Sequence, residues 1–592
     1  MPKKILKIIQ MLDFKQKNNG IILLVLMFFG MLLELVSIGA IIPIFSLIGD
    51  PSFLISYPQF SGYVSLFGNG ENALIIAAIS MLLFIYLFKT FFLSVLAWFQ
   101  TKFVFEFQAN ISSRLFAKYL SQDYSFHIAK NSSILIRNVA NETTQLANGA
   151  ILCGLNVLLE LLVIIGIATF LVYVEPFGAF VIIFSLSLTG IIFYLASKNM
   201  VLSWGIDRQN ADGQRIQNIQ HGLGGIKEIK LLGREARFTT EYENSNGVFA
   251  NAARKQSFLL NLPRLVIEFI AILVLSILIL ILVSQGSTIS SILPVLAVFA
   301  AAAFRLMPSI NRVLGNYQTL QYSSPVIDLI SAELELATNK KEIYANDDNS
   351  NYTTANLSIK GLDFSYQNES QKSLSNLNLT IKNGEMIGFI GESGSGKSTL
   401  VDIILGLLIP TKGEVIFCGK NIHNNIASWQ SKIGYVPQNI YLIDNTLRRN
   451  IALGLPDEII DENAVNEAIK MADLDSFIQE SKDGLDTVVG ERGVRLSGGQ
   501  LQRIGIARAL YHNPSILILD EATSALDSIT EARVMNSIMK MKGTKTIIIV
   551  AHRLSTVERC DYLYKLNKGK ITEEGPPNKV LQHEYAIHDR RK

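Results

Sequence analysis

The chain has 592 residues, of which 49% are hydrophobic and only 17% charged, with a net charge of +3 and a mean hydropathy of +0.31. Soluble domains carry about 25% charged residues, so much of this polypeptide belongs in lipid, and its near-balanced charge gives no argument for a nucleic-acid partner. Cys153, Cys418 and Cys560 are too far apart for a zinc or disulfide framework and read as ordinary buried residues.

Up to about residue 325 the chain holds six apolar stretches, at 21–48, 74–100, 149–174, 177–197, 258–284 and 288–310. Each is near or above the ~20 residues that a bilayer-crossing helix requires. The first follows lysines like a signal peptide, but it is too long for one and five more spans follow, so a retained helix is expected. Lys and Arg placement orients the set. Lys3, Lys4, Lys7, Lys15 and Lys17 precede the first stretch. Lys102, Arg114, Lys118, Lys130 and Arg137 follow the second, and eight more cations from Arg208 to Lys255 follow the fourth. The segments 50–71 and 284–290 and the Glu175-Pro176 turn carry none. Both termini and the two long polar connections are therefore expected in the cytoplasm. The outer segment SFLISYPQFSGYVSLF (52–67) is apolar and uncharged, which suits either a membrane interface or a packed extracellular turn.

Residues 338–356 are polar and Asn-rich and read as a linker. The expected domains are thus a transmembrane domain, 1–337, and a soluble α/β domain, 357–592. In the latter, GESGSGKST (391–399) follows the apolar strand MIGFI and precedes a helical pattern, the context of a P-loop. Its backbone from Gly391 through Glu392, Ser393, Gly394, Ser395 and Gly396 can wrap phosphate oxygens. Lys397 can reach the β- and γ-phosphates of ATP, Ser398 can ligate Mg²⁺, and Thr399 continues the helix. SILILDE (515–521) is a buried strand delivering two acids: Asp520 for the magnesium shell and Glu521 to polarise the attacking water. LSGGQ (496–500) opens a helix, and Ser497, Gly498, Gly499 and Gln500 offer a second anion-binding N-terminus.

These motifs together resemble ATP-binding cassette (ABC) transporters over nearly the whole chain. The resemblance implies an exporter-type fold: an all-α, six-helix transmembrane domain fused to a cytoplasmic α/β P-loop nucleotide-binding domain. In that family the LSGGQ signature completes the ATP site of the opposite subunit, so half a transporter on one chain implies a homodimer. By the same resemblance Tyr366 stacks on adenine, and Gln438 in IGYVPQN links the magnesium site to the membrane domain. Asp527 in SALD orders the dimer interface, and His552 in IIIVAHR contacts the γ-phosphate. VVGERG (488–493) resembles the segment that touches the cytoplasmic loops, of which 124–135 and 214–230 are the coupling segments.

PRLVIEFI (263–270), AFRLMPSINR (303–312), STLVDIILGLLIP and VPQNIYLIDNTLRRNI resemble the PglK-type flippases of bacterial protein N-glycosylation. That resemblance implies ATP-driven flipping of an undecaprenyl-pyrophosphate-linked oligosaccharide across the bacterial cytoplasmic membrane, with 52–67 engaging the lipid tail. A general lipid or drug exporter and an ATP-gated channel or regulator remain as alternatives. A peptide exporter with a fused cysteine protease is disfavoured, because no cysteine precedes Cys153. Lys89, Arg264 and Arg305 interrupt apolar stretches, as do Glu34, Glu160 and Glu268. An arginine at mid-span costs roughly 2.5–3.5 kcal/mol on insertion scales, so each needs a reason. Either cations and acids pair off, Arg264 with Glu268 four residues on, or the three cations line the cavity and receive the substrate's pyrophosphate. The resemblance places basic residues at all three positions, although Lys89 stands where an arginine is expected. Arg312 is expected at the cytoplasmic boundary.

Overall fold

The computed structural model describes residues 2–40, 65–67, 71–174, 176–284, 289–337, 356–366, 371–523, 526–551 and 553–582. Most of the outer segment 52–67 and the linker 338–356 lie outside the described residues, as does His552. The chain divides into two compact units, Met1–Gln122 with His127–Thr338 and Asp123–Phe126 with Asn339–Lys592.

The first unit is helical: α1 (Pro2–Met11), α2 (Phe14–Gly39), α3 (Glu71–Leu120), α4 (Cys153–Val174), α5 (Pro176–Gly224), α6 (Glu235–Ser284) and α7 (Ile289–Glu335). Among the described residues, five helical runs are long and apolar enough to cross a membrane: 14–37, 75–120, 132–170, 183–224 and 235–273. The sixth apolar stretch opens α7, whose side chains before Leu306 lie outside the described residues. Helix is the expected state, because a span in hydrocarbon must satisfy its own backbone donors and acceptors.

The polar connections differ from the loops expected. The 50 residues of α3 would extend about 75 Å at 1.5 Å per residue, against roughly 30 Å of hydrocarbon. The spans thus continue as helix far past their apolar portions, and chain reversals are confined to short breaks. Gly225 precedes the helix Ile226–Leu232, and Gly233, at φ 60°, ends it in the left-handed conformation. Between Ser132 and α4 the helix widens twice into π-turns, Asn138–Glu142 and Leu146–Leu152. Such turns are rare and recur at functional positions. Here the first carries Glu142, fully buried, which accepts from Arg208 Nη2 at 2.9 Å and Gln209 Nε2 at 3.3 Å.

Two features close the helices on one another. Met31, Val163, Ile167, Ile267, Leu306 and Leu314 form a shared apolar core. Small residues admit close backbone approach, as is usual where lipid offers no competing hydrophobic drive: a Cβ at Gly205 on α5 would lie 2.1 Å from the Tyr322 carbonyl oxygen on α7. At the N-terminus, Lys7 Nζ donates to Asp328 at 2.6 Å and Lys4 Nζ to the Ser324 carbonyl at 3.1 Å, fastening α1 to α7.

The second unit holds two sheets. β1 (Leu357–Phe364), β2 (Leu374–Ile381), β4 (Lys412–Phe417) and β5 (Lys420–Asn421) form an antiparallel sheet ordered β2-β1-β4-β5. β3 (Met386–Ile390), β6 (Ile433–Val436), β7 (Ile516–Asp520), β8 (Thr546–Val550), β9 (Tyr562–Asn567) and β10 (Lys570–Gly575) are ordered β10-β9-β3-β8-β7-β6. All neighbours in the second sheet are parallel except β10 and β9. MIGFI, ILILD and TIIIV are buried at every position, the continuous apolar run expected of parallel strands covered on both faces. The connecting helices include α8 (Lys397–Ile404), α9 (Gly498–Leu510) and α10 (Ser528–Met539).

The Gly205 approach is testable. Gly205→Ala is expected to destabilise by about 1–3 kcal/mol, as overpacking does, read as a lower unfolding temperature in detergent. Gly247→Ala, where nothing lies within 4 Å of the added Cβ, should be neutral or mildly stabilising. Equal unfolding temperatures for Gly205→Ala and the parent protein would refute the close α5–α7 contact.

Candidate functional site

The register of the parallel sheet builds the site. Phe389 pairs with Val550, and Val550 with Asp520. The carboxyl ends of β3, β8 and β7 therefore lie side by side at ~4.8 Å spacing, and in such sheets ligands bind outside those ends. Each strand runs directly into a candidate segment: β3 into the loop 391–396, β8 into Ala551, and β7 into Glu521.

After β3 the chain turns through Gly391 (φ 150°) and Gly396 (φ 102°). A Cβ at Gly391 would lie 2.2 Å from the Leu566 carbonyl oxygen, and one at Gly396 2.7 Å from Leu374 Cδ2, so only glycine fits either place. Ser395 N donates to Glu392 O at 3.2 Å, closing the turn. Lys397 opens α8, buried, with Nζ donating to Gly391 O at 2.7 Å and Glu392 O at 2.9 Å. Its cation is thus gathered inside the loop whose amides would meet phosphate. Burial lowers its pKa, and the nearby Glu521 and Asp520 charges oppose that shift. Ser398 is exposed beside it, while Gly394 and Ser393 form the exposed crest. Buried Thr399 shares a hydrogen bond of 3.1 Å with the Tyr366 hydroxyl, which joins the aromatic to the loop's helix.

Asp520 ends β7, buried, and Glu521 comes next in the left-handed region at φ 49°. A non-glycine residue there costs of order 1–3 kcal/mol and persists where surroundings over-determine it. Glu521 N donates to Val550 O at 2.9 Å, and Gln438 Nε2 donates to Glu521 Oε2 at 2.7 Å. The structure therefore brings Gln438 from the end of β6 directly onto the expected base, a contact between residues 83 positions apart that no sequence signal carries.

The signature is built differently. Ser497 caps α9 and accepts from Gln500 N at 3.2 Å, while Gln500 Oε1 accepts from Ser497 N at 2.8 Å. This capping box leaves Gly498 and Gly499 to open the helix. Helix α9 packs on β6 and on the helix Glu462–Met471, and β6 stands three strand spacings, ~14 Å, from β3. Asp527 caps α10, accepting from Ile529 N and Thr530 N at 3.2 and 3.1 Å. Its hydrogen bonds, chiefly with Thr530, hold its carboxyl below the ordinary value.

In the first unit Lys89 Nζ contacts Glu34 at 2.7 Å and Ser37 Oγ at 3.2 Å, with side chains only 10% and 14% exposed in the ion pair. Arg264 pairs with Glu268 at 2.8 Å, but its side chain is 73% exposed. Glu160 pairs with Arg312, so this arginine has an acidic partner on a spanning helix. The buried Glu142–Arg208 pair has no sequence signal, since its residues lie on separate helices. The Arg305 side chain lies outside the described residues.

Substitution tests one of these charges and one in the second unit, on α8. Breaking a buried pair by removing one partner costs ~3–5 kcal/mol, whereas replacing both by apolar groups is near neutral. Glu34→Leu should accordingly lower the unfolding temperature, and Glu34→Leu with Lys89→Met should recover it. A double variant as unstable as the single one would show that Lys89 and Glu34 do not depend on each other. Asp402 is the second case, its carboxyl pushed up to about 6, mainly by burial and secondarily by the Asp520 charge. A folded pKa above the unfolded ~3.9 means that folding disfavours the ionised form. The cost is absent below the unfolded value and fully present above the folded one, so it grows as pH rises through this window. Asp402→Asn should therefore raise the unfolding temperature more at about pH 8 than at about pH 5. A gain no larger at the higher pH would refute the raised value.

The family model of the ABC transporter transmembrane region matches residues 18–307, and that of the ABC transporter matches residues 374–524. ATP-dependent lipid A-core flippases of Escherichia coli strain K12 and of Shigella dysenteriae serotype 1 are each 29% identical over 476 residues, 79% of this chain and 80% of theirs. A solved bacterial Atm1-family ABC exporter with ATP bound shares the fold, with a TM-score of 0.73 at 22% identity over 94% of this chain and 97% of that one. Both matched regions are those of an ATP-hydrolysing transport protein, and the chain belongs to the exporter-type ABC transporters.

Proposed function

We propose that this protein flips an undecaprenyl-pyrophosphate-linked oligosaccharide across the bacterial cytoplasmic membrane, working as a homodimer with its nucleotide-binding domain and both termini in the cytoplasm. The observation that carries the lipid-pyrophosphate reading is Arg264: its guanidinium pairs with Glu268, yet its side chain is 73% exposed on a membrane-spanning helix. Intramembrane cations mark substrate paths, and a planar guanidinium matches phosphate oxygens in bidentate fashion. Arg305, one helix on, is the companion position, whereas Lys89 is taken up by its buried pair with Glu34. A broader lipid-export reading draws on the similarity to the lipid A-core flippases.

The homodimer is inferred from the placement of α9. Helix α9 packs on β6, while Lys397 follows β3, three strands away. A second copy would supply the signature amides that the Lys397 loop lacks in its own chain.

The hydrolytic roles are assigned residue by residue. Lys397 and the amides of 391–396 hold the phosphates of ATP, and Tyr366 stacks on the base. Ser398, Asp520 and Gln438 offer hard oxygen donors of the kind that suits Mg²⁺, which would neutralise phosphate charge when bound. Glu521, free of the ion, takes the proton of the attacking water. Gln438 holds that carboxylate at 2.7 Å, so the same amide answers to both the nucleotide and the base. His552 contacts the γ-phosphate in this scheme.

In proteoliposomes, Glu521→Gln should abolish ATP turnover while ATP still binds. Turnover at the parent rate would sink the base assignment. Arg305→Ala, and more severely the double alanine variant with Arg264, should lose flipping of a polyprenyl-pyrophosphate oligosaccharide yet keep basal ATP hydrolysis. Adding Lys89→Ala also strips Glu34 of its buried partner, and a triple variant that fails to fold would favour the ion-pair reading. Parent-rate flipping by these variants would refute the pyrophosphate path. ATPase stimulation by lipid A or small drugs alone would favour the broader exporter reading.

A further inference from the structure

We infer that Glu531 is a positioning residue that ties the chain beyond the general base Glu521 to the chain beyond position 552, so that the two catalytic segments keep a common geometry. This rests on the assignment of Glu521 and His552 to hydrolysis. Three donors converge on the one carboxylate. Thr523 Oγ1 donates to Glu531 Oε1 at 3.0 Å, Thr556 Oγ1 donates to the same oxygen at 3.2 Å, and Arg553 Nη1 donates to Oε2 at 2.8 Å. Thr523 stands two residues beyond Glu521, and Arg553 directly follows position 552. Both threonines are buried, and the Glu531 side chain is 15% exposed in its ion pair with Arg553.

The need for such a tie is visible in the backbone. β7 and β8 leave the sheet abreast, Asp520 opposite Val550, and beyond these residues the ladder no longer holds either chain. Glu521 nonetheless keeps a left-handed φ of 49°, a conformation that persists only under constraint from its surroundings. The Val550 carbonyl restrains it from the strand side. Glu531 restrains it from the far side through Thr523, and the same carboxylate holds the β8 exit through Arg553 and Thr556. Its own place is set by α10, whose first turn is capped by Asp527. Glu521, Thr523, Arg553 and Thr556 line one open pocket, so a shift of Glu531 would be felt on the catalytic side of the sheet. Glu531 is given no contact with nucleotide in this scheme, and its effect is exerted through its partners.

The experiment is ATPase kinetics and nucleotide binding on the full-length protein in nanodiscs. Glu531→Ala is expected to lower kcat about tenfold, the scale of losing charge-assisted hydrogen bonds, with KM for ATP changed less than about twofold. Glu531→Gln keeps an oxygen for the threonine hydroxyls and should recover part of the loss. Thr523→Val and Thr556→Val should each lower kcat by about threefold, and neither should add to Glu531→Ala, because they remove the same tie. A parent kcat for folded Glu531→Ala overturns the inference. So does a kcat loss matched by an equal loss of nucleotide affinity and not relieved by Glu531→Gln. Should Glu531→Ala fail to fold, the threonine variants decide, and a parent kcat in both overturns it. Glu521→Gln separates the two levels: normal turnover there removes the catalytic assignment itself, whereas an inactive Glu521→Gln beside a normal Glu531→Ala removes only the role of Glu531.

Discussion

The register of three parallel strands is the constraint on which the nucleotide site depends. Phe389, Val550 and Asp520 lie abreast, so the glycine loop, Ala551 and Glu521 leave the sheet along one line. A shift of one residue in β7 would turn every side chain on it to the other face and carry the acids away from Lys397. The apolar runs MIGFI, ILILD and TIIIV resist that shift through their burial. The polar ends then inherit a fixed spacing from the apolar middle.

Charge inside the second unit obeys the same logic of enclosure. Lys397 is buried and gathered by the carbonyls of its own loop. Desolvation weakens its hold on a proton, while Asp520 and Glu521 oppose that shift. Asp402, half-buried near the Asp520 charge, moves the other way, its carboxyl pushed up to about 6. The acidic neighbourhood thus opposes the shift of the lysine and reinforces that of the aspartate five residues on, because a carboxylate stabilises a cation and repels another anion.

The membrane unit handles charge by pairing across helices. Lys89 meets Glu34, Arg312 meets Glu160, and Arg208 meets Glu142. Each pair joins two helices, so these charges also bear on which helices neighbour each other. Arg264 alone among these cations pairs along its own helix, with Glu268, and its side chain stays open. That asymmetry is why it carries the substrate reading.

Length and hydropathy were enough to place five of the six spans among the described residues, and residue type and spacing were enough to place the glycine turn, the two acids at the end of a buried strand and the helix that LSGGQ opens. These are local properties: about 20 apolar residues make a span, and a glycine turn between strand and helix makes a phosphate cradle. The Arg264–Glu268 pair was legible for the same reason, being four residues apart on one helix. Contacts between distant segments were not legible. Gln438 on Glu521, Glu531 on three donors, Glu160 on Arg312 and the close approach of Gly205 to Tyr322 all depend on which strands and helices become neighbours. Nor did composition reveal that the polar connections continue as helix, because charged residues form helix as readily as apolar ones when exposed. Sequence determines the parts that a short stretch of chain can make by itself. Packing decides which parts meet, because a contact across many residues has no periodicity to announce it.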